Sequence, residues 1–266
     1  MHTKLTFVKS ASPAASSRAT MVFIPGGPCF SSETLKELEA LKDSFHLVFL
    51  DPPGTGGTSD LEKITYETLC EDIEAALLSL NRPVILVGHS YGGIQSAEIA
   101  VRGRVDVRGL CCIATPFTVK SFDVMQKQYL THRNEEMIAA EEVFEKEKNA
   151  ENFLRMNISY RVFYFNKRCE AAGVEMFKRD RFSYRAYLGV NADKKSHDYL
   201  LDGLRKLSLP KFAVMGGADL MFPKDVLWQE ALQGGFQCAE VVGAGHFVSF
   251  DEPEKTCELI REFFLE

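Results

Sequence analysis

Residues 83–93, PVILVGHSYGG, decide how the chain is read. The apolar run from Pro83 to Val87 stops at Gly88-His89-Ser90-Tyr91-Gly92, and a helical segment begins at once. The pattern G-x-S-x-G thus stands between a buried strand and a helix, the context in which it carries chemistry. A serine at the tip of so sharp a turn has a strained backbone, so residues two positions away on either side must lack Cβ atoms. Gly88 and Gly92 meet that need, and Gly93 lets the new helix pack close. The helix N-terminus behind Ser90 offers free N–H groups and partial positive charge to a developing oxyanion. On its own the pentapeptide occurs by chance in many chains, and a Gly-rich turn after a strand is often only a turn.

The chain has 266 residues, the size of one large α/β domain with an insert rather than two independent domains. With 45% hydrophobic and 26% charged residues it has the composition of a soluble globular protein. The formal net charge of −6 gives no reason to expect nucleic acid as a partner. The 7 cysteines are odd in number and lack CxxC spacing. Cys111 and Cys112 are adjacent on an expected strand, so they point to opposite faces and cannot chelate one metal together. They read as small buried hydrophobes, disulfides are not expected, and a reducing compartment is favoured. No leader-like segment opens the chain and no apolar run is long enough to span a bilayer, so the expectation is a cytoplasmic protein without a membrane partner.

Strands and helices alternate along most of the sequence. Strands are expected at Lys4 to Lys9, Thr20 to Ile24, Phe45 to Leu50, Pro83 to Val87, Gly109 to Ala114, Lys211 to Met215 and Phe236 to Val242. Residues 10–19, SASPAASSRA, read as a loop. Ser31 or Ser32 caps a helix with Leu35, Leu38 and Leu41 in periodic positions; Thr65 opens a longer one carrying Leu69, Ile73, Ala76, Leu77 and Leu80. Further helices are expected at Tyr199 to Leu207, from about Pro223 to Leu232, and from about Glu252 to Phe264. Between Phe117 and Asp193 the alternation is lost. Residues 134–151 are Glu-rich and helical, and 153–188 are dense in aromatics, a helical insert able to roof a pocket while its charges face solvent. Alternation of this kind predicts a mostly parallel sheet covered by helices on both faces, with chemistry beyond the carboxyl ends of its strands.

Ser90, Asp219, His246 and Gly27 each follow such a carboxyl end, so all four should meet at one edge of the sheet. A serine hydroxyl needs an adjacent base, an imidazole titrates close to neutrality, and a carboxylate can fix its tautomer. Of the six histidines, His2 and His46 lie at a terminus and a strand start, and His132 and His197 lie in or beside the insert. His89 flanks the serine and is expected to pack beneath the turn, leaving His246, in the loop Gly243-Ala244-Gly245-His246, as the preferred base. For the acid, Asp51 and Asp60 are rivals of Asp219, but the Pro and Gly residues after Asp51 suggest that it shapes a loop.

Five blocks together resemble the α/β-hydrolase superfamily from about residue 20 to the C-terminus: PGGP at 25–28, DPPGTGGTS at 51–59, GHSYGG at 88–93, GGADLMFP at 216–223 and GAGHFVSFDEPE at 243–254. The resemblance implies an α/β-hydrolase core of residues 1–116 and 194–266, with residues 117–193 as a helical cap inserted after the sixth core strand. It also implies Ser90 as nucleophile, Asp219 as acid and His246 as base, with the backbone N–H groups of Gly27 and Tyr91 as oxyanion hole. Neither a metal nor an organic cofactor is implied. Within the superfamily the GGP run and DPPGTGGTS look most like the proline iminopeptidase branch, which implies release of an N-terminal residue from small peptides. The sequence departs from that branch where Pro25 replaces a His, Cys29 replaces a Gly, and Pro52-Pro53 replaces a Gln-Arg pair. The branch grips the substrate's amino group with cap glutamates, whose motif does not align here. Its N-terminal region often has two strands where this chain has room for one. An esterase, thioesterase or C–C bond hydrolase, or a lyase, could use the same groups on a small substrate, and a binding protein could keep the fold without turnover.

Overall fold

The computed structural model describes residues 1–8, 20–193 and 195–265. Among them are seven strands: β1 (Lys4–Val8), β2 (Thr20–Ile24), β3 (His46–Asp51), β4 (Val84–His89), β5 (Val107–Ile113), β6 (Lys211–Gly216) and β7 (Gln237–Val241). They form one sheet in the order β1-β3-β2-β4-β5-β6-β7. Only β1 runs antiparallel to its neighbour; every other pair is parallel. The helices in chain order are α1 (Tyr66–Ser79), α2 (Tyr91–Arg102), α3 (Val119–His132), α4 (Glu135–Lys146), α5 (Ala150–Ser159), α6 (Arg161–Tyr164), α7 (Glu170–Arg179), α8 (Tyr184–Asp193), α9 (Tyr199–Lys206), α10 (Lys224–Gln233), α11 (Val248–Asp251) and α12 (Pro253–Leu265). Every residue of β2, β4 and β6 is buried. Successive residues of a strand face opposite sides, so helical layers cover both faces of the sheet, and the strands are apolar runs for that reason.

Register brings the expected site to one edge. Ile24 lies opposite Gly88, His89 opposite Ile113, and Gly216 opposite Val241. The loops that follow β2, β4, β6 and β7 therefore leave the sheet on the same side. They carry Gly27, Ser90, Asp219 and His246 respectively.

Several local expectations are refined. The segment Ser32–Asp43 is a 3-10 helix, capped by the Ser31 side chain accepting from Glu33 N–H. Leu35, Leu38 and Leu41 are buried at intervals of three, the period at which 3-10 side chains eclipse. The strand expected at Lys4 to Lys9 is described to Val8, and the loop expected over 10–19 lies outside the described residues. The Glu-rich stretch 134–151, expected to be helical, holds α4 and the start of α5. Asn134 caps α4 by accepting from Met137 N–H, and Asn149 caps α5 by accepting from Asn152 N–H. Asparagine in an extended conformation competes with a continuing helix, which explains the break.

Helices α3 to α8 lie between β5 and β6 in the chain. Among the described residues the insert follows the fifth strand, where the sequence reading, counting in the superfamily's frame, expected it after a sixth. The insert has its own aromatic core of Phe144, Phe153, Phe165 and Phe177, joined from the sheet side by Phe30 and Phe247. Phe30 stacks on Phe177 at 5.6 Å, and Phe247 meets Tyr164 edge-on at 5.4 Å. Such pairs contribute roughly 0.5–1.5 kcal/mol each beyond their buried area, so aromatic packing ties the insert to the core. Its first helix is held from below by Glu230 on α10. That buried carboxylate accepts from Phe117 N–H at 2.8 Å and from the Thr118 and Ser121 hydroxyls.

Candidate active site

Ser90 has φ 51° and ψ −119°, a positive φ that non-glycine residues rarely adopt. The glycines around it are required by contact. A Cβ on Gly88 would lie 2.3 Å from the carbonyl oxygen of Gly92, and one on Gly92 would lie 2.2 Å from that of Ile24. The turn is thus wedged between the ends of β2 and β4, and the serine is forced out at the sheet edge.

His246 Nε2 lies 2.9 Å from Ser90 Oγ, and His246 Nδ1 lies 2.9 Å from Asp219 Oδ2. A carboxylate only accepts, so Nδ1 carries the proton and Nε2 offers its lone pair to the serine O–H. The other oxygen of Asp219 accepts from Met221 N–H at 2.8 Å and Phe222 N–H at 2.9 Å. Those two amides fix the rotation of the carboxylate. All three side chains are buried, with Ser90 the most open at 9%. The structure therefore brings the expected serine, histidine and aspartate into one continuous hydrogen-bond chain.

The other expected residues are close by. Gly27 (φ 83°) and Tyr91 line the same cavity as Ser90 and His246. Among the described residues neither of their backbone N–H groups donates to another protein group. Tyr91 N–H opens α2, where the first amides have no helical acceptor. The rival aspartates do other work. Asp51 accepts from Ser32 N–H at 2.8 Å and packs against Gly56, shaping the 51–59 loop. Asp60 accepts from Arg185 at 2.8 Å. His89 is buried beside the His246 loop, and its Nε2 donates to the His246 carbonyl at 3.0 Å. Burial, then the neighbouring His246, pushes the His89 imidazole down to about 3, so it stays neutral.

The cavity has a volume of about 450 Å³. The site loops form one side, and Phe122, Met125, Tyr129, Tyr160, Phe163 and Tyr187 from the insert form much of the other. The lining is aromatic and apolar, as in pockets that bury small molecules. One carboxylate, Glu141, also lines it. Both its oxygens lie 2.7 Å from the Tyr129 hydroxyl, and the Tyr160 hydroxyl donates to it as well. No lysine or arginine lines the cavity among the described residues. Sequence reading missed these roof residues. The i, i+3, i+7 spacing of Phe122, Met125 and Tyr129 was a legible signal for one face of α3. Nothing local could have linked Glu141 to Tyr129 on α3 and Tyr160 at the junction of α5 and α6. Among the described residues no group of three or more His, Cys, Asp or Glu side chains is arranged to hold a metal ion, and no helix is long and apolar enough to cross a membrane.

Comparison with known proteins agrees with the fold. The alpha/beta hydrolase family matches residues 21–259, and the chain belongs to that family. It is 27% identical over 241 residues to the biotin biosynthesis bifunctional protein BioHC of Teredinibacter turnerae, an alignment covering 85% of this chain and 40% of that longer protein. The chain thus spans well under half of this relative's length. In fold it is similar to a thermophilic esterase from Thermogutta terrifontis, with a TM-score of 0.75 and 18% identity, covering 98% of this chain and 92% of the esterase. It is similar to the same degree to proline iminopeptidase of Mycobacterium smegmatis, with a TM-score of 0.72 and 18% identity over 99% and 94% of the two chains. At such identity the neighbours define the fold and leave the substrate open.

Proposed function

We propose that the protein is a serine hydrolase that works through an acyl-enzyme on a small-molecule or short-peptide substrate. The observation that carries this reading is the unbroken chain Asp219–His246–Ser90, beside two cavity-lining residues, Gly27 and Tyr91, whose amides are unspent among the described residues. Ser90 Oγ attacks the substrate carbonyl carbon while its proton passes to His246 Nε2. The carbonyl oxygen becomes an oxyanion held by the Gly27 and Tyr91 N–H groups, each such donor contributing roughly 3 kcal/mol at the transition state. Asp219 stabilises the imidazolium. His246 then protonates the leaving group, and after its departure removes a proton from the water that frees the acyl group.

For the substrate, we favour release of an N-terminal residue, proline-like in shape, from a small peptide. Glu141 supports this choice, because an unneutralised carboxylate in an aromatic cavity is suited to a substrate ammonium group. The apolar remainder of the lining equally suits a short acyl ester, which is the second reading. A substrate panel decides between them: aminoacyl-arylamides with free and blocked amino termini beside short-chain esters and thioesters. The peptidase reading predicts at least about tenfold preference for the free terminus, lost in Glu141→Gln through a raised KM. Indifference to the amino group, with esters turned over fastest, would reject the peptidase reading and leave the acyl-enzyme reading standing.

A further inference from the structure

The proposed base, His246, sits in a loop rich in glycine, Gly243-Ala244-Gly245-His246, that has little stiffness of its own. Yet its last two residues and Phe247, which follows them, are each pinned by a different part of the molecule. Gly245 N–H donates to Asp251 Oδ2 at 2.7 Å. The His246 carbonyl accepts from His89 Nε2 at 3.0 Å. Phe247 N–H donates to the Tyr164 carbonyl of the helical insert at 2.9 Å. The same Asp251 Oδ2 also accepts from Asn166 N–H at 2.8 Å, and Asn166 Nδ2 donates to the Gly243 carbonyl at 3.2 Å. One carboxylate oxygen therefore holds the base loop and the insert together, one amide from each.

We propose that Asp251 is a positioning residue for His246, and that it makes the insert segment Tyr164–Asn166 part of the frame that aims the imidazole at Ser90. The inference rests on the serine hydrolase reading above. Asp251 is buried, and its second oxygen, Oδ1, has no hydrogen-bond partner among the described residues. An acid with a bare buried oxygen is an expensive anchor for a turn, because burial raises its pKa, opposed by the bonds from the Gly245 and Asn166 amides and then by Cys169. That arrangement is intelligible if what matters is one acceptor placed between two amides. Displacement of the base by about 1 Å is enough to lower turnover roughly 10²-fold.

The test uses the full chain with p-nitrophenyl acetate, an ester too small to depend on the far wall of the cavity. Asp251→Ala should lower kcat by roughly 10- to 100-fold with KM within about twofold of the parent. Asp251→Asn should recover kcat to within about threefold, since a single amide oxygen can accept both N–H groups while its NH2 occupies the bare side. An asparagine variant as impaired as the alanine variant, or an alanine variant with parental kcat, would overturn the proposal. Native-state hydrogen exchange of the parent checks it independently of any variant's folding. The amides of Gly245, Phe247 and Asn166 should exchange with one common protection, and independent exchange of the loop and the insert segment would equally overturn it. Ser90→Ala run alongside separates the two readings. If it retains parental turnover, the hydrolase reading falls, and the exchange measurement alone then judges the clamp.

Discussion

At the scale of single residues, the site works by removing choices. The turn that carries Ser90 has no room for a Cβ at Gly88 or Gly92, and it presents Oγ 2.9 Å from His246 Nε2. Asp219 cannot rotate without breaking two bonds to the Met221 and Phe222 amides. The histidine is left one tautomer, with its proton on Nδ1. Asp219→Asn tests this directly. The amide can present an N–H to Nδ1, which favours the wrong tautomer, so kcat for any turned-over substrate should fall by about 10⁴-fold with little change in unfolding temperature. A fall of less than tenfold in a folded variant would mean that the carboxylate does not set the tautomer. These three residues were legible in the sequence because each follows the end of an apolar run and precedes a helix, and the topology does the rest. Glu141 and Asp251 were not legible. Their importance comes from partners on other elements, Tyr160 and Asn166 among them, and no spacing rule reaches across a tertiary fold.

At the scale of elements, the sheet strands and most flanking helices could be read from hydrophobic runs and capping residues, such as the reciprocal Thr65–Thr68 capping box that opens α1. The insert was legible only as a helical stretch and not helix by helix, because its helices bury their aromatics against each other and against Phe30 and Phe247 rather than on a regular sheet. The turn after α7 ties that insert to the loop bearing Gly27. Asp180 accepts from both the backbone N–H and the hydroxyl of Ser31, and Ser183 N–H donates to the Cys29 carbonyl at 3.0 Å. Burial, opposed by the Ser31 bonds and aided by nearby Asp51, pushes the Asp180 carboxyl up to about 7. Its unfolded value is near ~3.9. Between those values the folded chain binds more protons than the unfolded one at this position, so its contribution to stability is full at low pH and is lost as pH rises through about 7. Thermal unfolding of the parent and Asp180→Asn at pH 4.5 and 7.5 checks the sign. The parent should lose ground to the variant on going to the higher pH, and a constant difference would contradict the assignment.

At the scale of the whole molecule, one edge of a twisted sheet collects four loops from distant parts of the sequence, and a helical roof closes a cavity above them. The parallel order β3-β2-β4-β5-β6-β7 makes this unavoidable, because every loop after a strand in that series leaves on the same side. The roof supplies the chemical character of the cavity, the floor supplies the reactive groups, and Asp180, Asp251 and Glu230 hold the two together. The central claim is that this assembly makes Ser90 a nucleophile. Intact-mass and peptide mass spectrometry of the folded protein after treatment with a fluorophosphonate measures that most directly. The account predicts a single covalent adduct, located on Ser90. A folded protein that takes up no adduct, or carries it on another residue, would contradict it.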